Sequence, residues 1–297
     1  MMPTALDRLP SLWQRLRRGF RKLRQSADWE AFVGPDWPDR IMSEEVTDRF
    51  HAKQGRSIGR WTLTDADGRT LVVYLKRHYI LPRFDGILAA VLPGAARSPG
   101  LQEWEHLTWA AEQGLPVPRA VAAGEFVGPG GRMQSFLAVE ELTGMLPLHE
   151  AIPLAYAHLE PALFARWKKS LAEEMARLTR ILHDRSAFHK DLYLCHFYIH
   201  EDDTKRLPEA WAERVIVIDL HRLARHPFTA PWRKVKDLAE LIYSSEIPGV
   251  TARDRLAFWR AYRGKRQRGW LARAICWKWS LYRAHNQKRK LKAGGRK

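Results

Sequence analysis
The chain has 297 residues, 45% of them hydrophobic, and 13 Trp, enough apolar material for two lobes of ordinary domain size, which excludes an intrinsically disordered protein. Its formal charge of +17 sits at the two ends: residues 1–25 hold seven Lys/Arg against one acid, residues 253–297 hold sixteen against one, and the centre is slightly acidic. That distribution excludes a uniformly basic nucleic-acid coat protein and describes a near-neutral body with basic attachments.

In chain order, Leu9, Leu12, Trp13, Leu16, Phe20 and Leu23 recur at helical spacing with arginines and a lysine between them. The pattern predicts a basic amphipathic helix within a separate segment, residues 1–40. Its apolar face suits the interface of an anionic bilayer or, equally, the protein's own body. Residues 60–64 and 70–76 read as strands around an Asp65-Ala66-Asp67-Gly68 turn. A helix over 101–113, stopped by Gly114 and by Pro116 and Pro118, precedes two further strands at 120–126 and 135–141. Together these predict an N-lobe over 41–143, a small antiparallel sheet with one helix against it. A helical C-lobe over 144–287 follows, with a long helix at 163–183, two short apolar runs at 193–199 and 215–220, and helices at 232–243 and 252–263. Residues 288–297 read as a disordered basic tail. Just before them, Trp270, Trp277 and Trp279 alternate with cations, a pattern that fits a membrane interface, stacking on single-stranded nucleic acid, or core packing of a last helix.

Cys195 and Cys276 form neither a CxxC nor a Cys/His spacing, so no disulfide framework or zinc site is expected. No run has the length of a membrane span, and the start carries no secretory signal pattern. The reducing cytoplasm is the expected compartment.

The chemistry is concentrated in two segments. His189-Lys190-Asp191 lies between a long helix and a short strand, and Val215-Ile216-Val217-Ile218-Asp219 ends the next strand on an acid. An HxD loop followed by an acid at the end of the next strand resembles the catalytic and metal-binding loops of the protein-kinase-like superfamily, whose phosphoryl transfer needs one carboxylate to orient or deprotonate the acceptor hydroxyl and another to hold the Mg²⁺ that neutralises the triphosphate of ATP. Upstream, the strand Leu71–Lys76 ends on a lysine, and Glu103 lies on the following helix where it can pair with Lys76. Glu105, two positions along, faces elsewhere. The order Lys, Glu, HxD, Asp resembles the protein-kinase-like superfamily, which implies an α+β, bilobal fold with a small sheet lobe and a helical lobe.

The resemblance narrows at His189-Lys190-Asp191-Leu192-Tyr193-Leu194-Cys195-His196-Phe197 and Ile218-Asp219-Leu220-His221-Arg222. These segments, with Glu103-Trp104-Glu105-His106-Leu107 and Gly114-Leu115-Pro116-Val117-Pro118, are similar to the signatures of the lipopolysaccharide core kinases, the heptose and Kdo kinase family. The family implies ATP-dependent phosphorylation of a sugar hydroxyl on a glycolipid at the cytoplasmic face of the inner membrane. By position it implies Asp191 as catalytic base, Asp219 as the Mg²⁺ acid, and His196 where kinases place a metal-binding Asn.

Three departures stand out. Imidazole is a poor Mg²⁺ ligand. Tyr193 occupies the place of the usual catalytic-loop lysine, so another cation, such as Lys190 or Arg222, must meet the developing charge. No GxGxxG is present; the nearest cradle is residues 53–60, where Gly55 and Ser57 are the candidate nucleotide contacts. The adenine hinge falls at Val139-Glu140-Glu141-Leu142, with Glu141 as its contact. The short span after Asp219 leaves no room for an activation segment that docks proteins, which favours a sugar acceptor. The competing readings are another small-molecule or protein kinase, or a pseudokinase scaffold that binds anionic membrane or RNA.

Overall fold
The computed structural model describes residues 10–51, 55–264 and 269–294, with the side chains of 47–51 and 287–294 outside the description. Ser11 opens helix α1 (Leu12–Arg18) with a reciprocal box: its hydroxyl accepts from the Gln14 N–H, and the Gln14 side chain accepts from the Ser11 N–H. Gly19, at φ 79°, ends the helix, and the chain turns extended as β1 (Phe20–Gln25). The sequence expectation of one helix through Leu23 is corrected here. Phe20 and Leu23 continue the helical spacing, but they lie in a strand whose backbone pairs with a neighbour from Phe20↔Val127 to Gln25↔Ala122.

Two short helices follow, α2 (Trp29–Val33) and α3 (Trp37–Arg40). They drive Trp29 and Trp37 into the sheet's core, their rings edge-to-face at 6.0 Å. Residues 20–41 are therefore part of the sheet body rather than of a separate 1–40 attachment. The remaining elements of this body are β2 (Thr47–His51), β3 (Arg56–Thr64), β4 (Thr70–His78), α4 (Arg83–Val91), α5 (Pro99–Glu112), β5 (Ala120–Val127) and β6 (Met133–Glu140). Its six strands run in the order β1-β5-β6-β4-β3-β2, all antiparallel. Leu71, Val73 and Leu75 alternate inward along β4 onto Trp29, Trp37, Val121 and Phe136.

Helix α4 has no counterpart in the sequence reading. Its inner face is Gly86, Ala89 and Ala90. A Cβ on Gly86 would lie 2.2 Å from the Gly131 carbonyl oxygen, and one on Gly131, at φ 78°, would lie 2.6 Å from the Arg83 carbonyl oxygen. Two glycine backbones thus meet where side chains cannot fit, and the bulky residues of α4 face outward.

The chain divides into two units, one of Met1–Trp109 and Pro118–Glu141, the other of Ala110–Val117 and Leu142–Lys297. The second contains β7 (Met145–Pro147), α6 (Leu148–His158), α7 (Pro161–Asp184), β8 (Ala187–Phe188), β9 (Phe197–His200), β10 (Ile216–Val217), β11 (Ala224–Arg225), α8 (Ala230–Ser244), α9 (Ala252–Arg263) and α10 (Gly269–Gly294). Phe164, Trp167, Leu171, Met175, Leu178 and Leu182 form the buried stripe of α7. Helix α10 packs on α8, burying Leu271 and Ile275 and leaving Trp277 outward. It runs through residues expected to be a disordered tail; residues 295–297 lie outside the described ones. Among the described residues, no helix is long and apolar enough to cross a membrane.

Candidate active site
In the sheet unit, Lys76 leaves β4 on the face opposite Arg77. Its Nζ donates to Glu103 Oε1 at 2.7 Å, with Glu103 buried on α5. Glu105 is exposed. Arg77 is buried and donates to the carbonyls of Ile41 and Glu44, so it is a structural cation.

The proposed phosphate cradle is changed by the structure. Residues 56–60, read as loop, belong to strand β3, because Arg56–Arg60 pair in register with His78–Tyr74. The Ser57 hydroxyl is buried between the Tyr79 hydroxyl at 3.2 Å and Arg77 Nε at 3.4 Å, which removes it as a phosphate donor. Gly55 turns the chain at φ 55°, and its carbonyl accepts from the Tyr79 N–H. Residues 53 and 54 lie outside the described ones. Glu141 stands at the expected adenine hinge. Its N–H donates to the Val72 carbonyl, and its carboxylate takes both Nε and Nη2 of Arg60.

In the helical unit, β8 delivers the His189-Lys190-Asp191 loop. Asp237, fully buried on α8, holds it from beneath: Oδ2 accepts from the His189 N–H at 2.9 Å and Oδ1 from the Lys190 N–H at 3.0 Å. Lys190 is thereby fixed at φ 69°, in the left-handed region that few non-glycine residues occupy. His189 Nε2–H donates to the Ile218 carbonyl at 3.0 Å, tying this loop to the strand end that carries Asp219. Burial holds the His189 pKa below its ordinary value against the opposing pull of that carbonyl, so the ring is a neutral structural strut.

His196 stacks on His189, ring centroids 5.3 Å apart, and its Nδ1–H donates to the Asp191 carbonyl at 2.7 Å. Its Nε2 is 3.6 Å from Asp219 Oδ2. Burial pulls the His196 pKa down, but Cys195, the Asp191 carbonyl and the Asp219 carboxylate together outweigh it and raise the value. Asp219 itself is left-handed at φ 63° and ψ 51°, which turns its carboxylate out of the strand, with Oδ1 2.5 Å from His221 Nδ1. Among the described residues no group of three or more His, Cys, Asp or Glu forms a metal cluster.

Asp191 Oδ1 and Oδ2 both accept from Arg222 Nη1, at 2.8 and 2.7 Å, and Lys236 Nζ lies 3.8 Å from Oδ1. Lys236 also donates to the Lys190 carbonyl and, at 2.5 Å, to Glu240. Glu240 in turn accepts from the Tyr193 and Tyr282 hydroxyls at 3.3 and 3.2 Å. Burial, with the neighbouring Glu240 carboxylate, pushes the Tyr193 phenol well above its ordinary range. Tyr193 therefore points back into α8 and α10 as a neutral donor. The cations at the Asp191 carboxylate are Arg222, which the sequence had offered, and Lys236, which it had not.

With this geometry, relatives are identifiable. The profile of the lipopolysaccharide kinase (Kdo/WaaP) family matches residues 90–262, more than half of the chain. The chain belongs to that family. The match includes Glu103, both acid loops and α8, while Lys76 precedes it. The lipopolysaccharide core heptose(I) kinase WaaP of Pseudomonas aeruginosa is 33% identical over 221 residues, 73% of this chain and 79% of that protein. The protein of the same name from Escherichia coli K12 is 32% identical over 165 residues, 55% of this chain and 59% of that one. A solved structure, WaaP in complex with acyl carrier protein, superposes with a TM-score of 0.62 at 27% identity, covering 91% of this chain and 98% of that one. The fold is kinase-like and the chain is a phosphotransferase that uses ATP.

Proposed function
We propose that this kinase transfers the γ-phosphoryl group of ATP to a hydroxyl of a lipopolysaccharide core sugar, heptose or Kdo, on a lipid-linked precursor at the cytoplasmic face of the inner membrane. The observation that carries the reading is the coupling of two acids. Asp191 and Asp219 sit on separate loops locked together through His189, His196 and the buried Asp237. Asp191 orients the acceptor hydroxyl and takes its proton. Lys76, held by Glu103, pairs with the nucleotide phosphates. Asp219 would hold Mg²⁺, which when bound neutralises charge on the triphosphate; His196 keeps the Asp219 carboxylate beside it in place. The chain from Asp219 to α8 holds only the turn Leu220–Arg222 and the two-residue strand β11, which supports a compact acceptor over a protein.

Arg222 and Lys236 take the role that the missing catalytic-loop lysine plays in protein kinases, placing positive charge where the equatorial oxygens of the transferred group become more negative. Lys236→Met is expected to lower kcat by about 10²-fold with little change in KM for ATP. Lys236→Arg should recover part of the loss. Equal rates for Lys236→Met and wild type would remove Lys236 from the mechanism.

The function is tested by incubating the purified chain with γ-labelled ATP, Mg²⁺ and glycolipid extract, beside Asp191→Ala and Asp219→Ala. Label in the core sugar that depends on both acids is expected. Label confined to protein would refute the sugar acceptor.

A further inference from the structure
Helix α4 is amphipathic in the inverse sense. Its small residues Gly86, Ala89 and Ala90 are buried, while Phe84 and Val91 lie on the outer face and Ile87, 43% exposed, borders the Gly131 contact. Phe84 is 71% exposed and Ile80, just before the helix, is 76% exposed. Helix α1 is fastened to α4 by Arg15 Nε donating to the Ala90 carbonyl at 2.7 Å, and it adds Trp13, 74% exposed. An ordinary surface helix buries its bulky residues; here the glycine contact with Gly131 forces them into solvent.

Beside this apolar face, on the same unit, opens a groove of about 780 Å³ lined by Arg18, Arg21, Arg83 and Arg132. Arg21 is paired with Asp39 at 2.5 Å. Among the described residues Arg18, Arg83 and Arg132 have no acid partner. Large apolar side chains next to unneutralised arginines match the boundary between acyl chains and anionic headgroups. A second copy of the chain matches less well, because an isologous contact through this face would bring the arginine groups together.

We propose that this face is a docking surface for an anionic phospholipid bilayer, with Ile80, Phe84 and Ile87 entering the acyl boundary and Arg18, Arg83 and Arg132 meeting headgroup phosphates. It gives the proposed reaction its access to a lipid-linked acceptor, and for that purpose alone it rests on the proposed function. None of these residues belongs to the catalytic loops.

The full chain would be co-sedimented with phosphatidylcholine vesicles and with equimolar phosphatidylcholine–phosphatidylglycerol vesicles, at low and high salt. Wild type should bind the anionic vesicles and lose them at high salt. Neutralising an arginine at a lipid surface weakens binding about fivefold, so Arg18→Gln/Arg83→Gln/Arg132→Gln should bind roughly a hundredfold more weakly. Phe84→Ser/Ile87→Ser should also release the vesicles, with an unchanged thermal midpoint. Both variants should phosphorylate water-soluble, delipidated core sugar at the wild-type rate. Wild-type vesicle binding by either variant would overturn the proposal. So would a wild-type dimer that Phe84→Ser/Ile87→Ser dissociates while vesicle binding stays. Failure of wild type on the soluble sugar, with vesicle binding intact, would refute the acceptor assignment and leave the docking surface standing.

Discussion

Asp191→Asn should lower kcat about 10³-fold while leaving the thermal midpoint close to that of wild type. The carboxamide is nearly isosteric and still accepts a hydrogen bond from a sugar hydroxyl, so acceptor positioning is largely kept; what is lost is the basicity that accepts the proton as the hydroxyl attacks. The stability cost is small because the partner of Asp191, Arg222, is about half exposed, and ion pairs at that exposure contribute about 0–1 kcal/mol. Steady-state kinetics on purified glycolipid, with a thermal melt of the same preparation, separates the two effects. A kcat within tenfold of wild type would mean that Asp191 only positions the hydroxyl and that the proton leaves by another route.

The parts of this site that were legible in the sequence are those whose chemistry coincides with a local pattern. Lys76 lies near the end of an alternating strand, Glu103 and Glu105 are separated by helical geometry, and Asp191 and Asp219 stand at loop positions next to apolar runs. Asp237, Lys236 and Glu240 were not legible. On an amphipathic helix an acid next to Leu238 or Leu241 reads as part of the solvated face, and only the fold shows Asp237 and Glu240 buried. A signal was present in the segment Val235–Leu241, where acids three apart interrupt an otherwise apolar stripe, but spacing alone does not separate a buried acid from a surface one. Strand β1 was hidden for a different reason. Phe20 and Leu23, three apart, fit the helical period and fall on opposite faces of a strand, where they pack against different clusters; the strand was chosen by pairing with β5, a contact about a hundred residues away in sequence. Helix α4 was missed because its apolar residues point the wrong way for a core helix, which is also what makes it informative.

Asp237→Asn is expected to destabilise the protein by about 3 kcal/mol and to reduce kcat severely even though Asp237 is remote from the acceptor role. Its carboxylate is fully buried and accepts three hydrogen bonds, from the His189 and Lys190 N–H groups and, at 3.3 Å, from His183 Nε2. Asparagine has one acceptor oxygen, so at least one backbone N–H is left facing an NH₂ group in a site without water access. The N–H groups concerned are those that hold Lys190 in its left-handed conformation, and Asp191 is the next residue. The loop would relax toward the ordinary backbone regions and carry the catalytic carboxylate with it. Tyr262→Phe provides the contrast. It removes the hydroxyl 2.8 Å from His183 Nδ1, at the far side of the same network, without touching the loop N–H groups. Its cost should be near 1 kcal/mol, with kcat retained. Chemical denaturation with parallel kinetics measures both variants. If Asp237→Asn lost no more stability than Tyr262→Phe and kept its rate, the buried carboxylate would not be what shapes the catalytic loop.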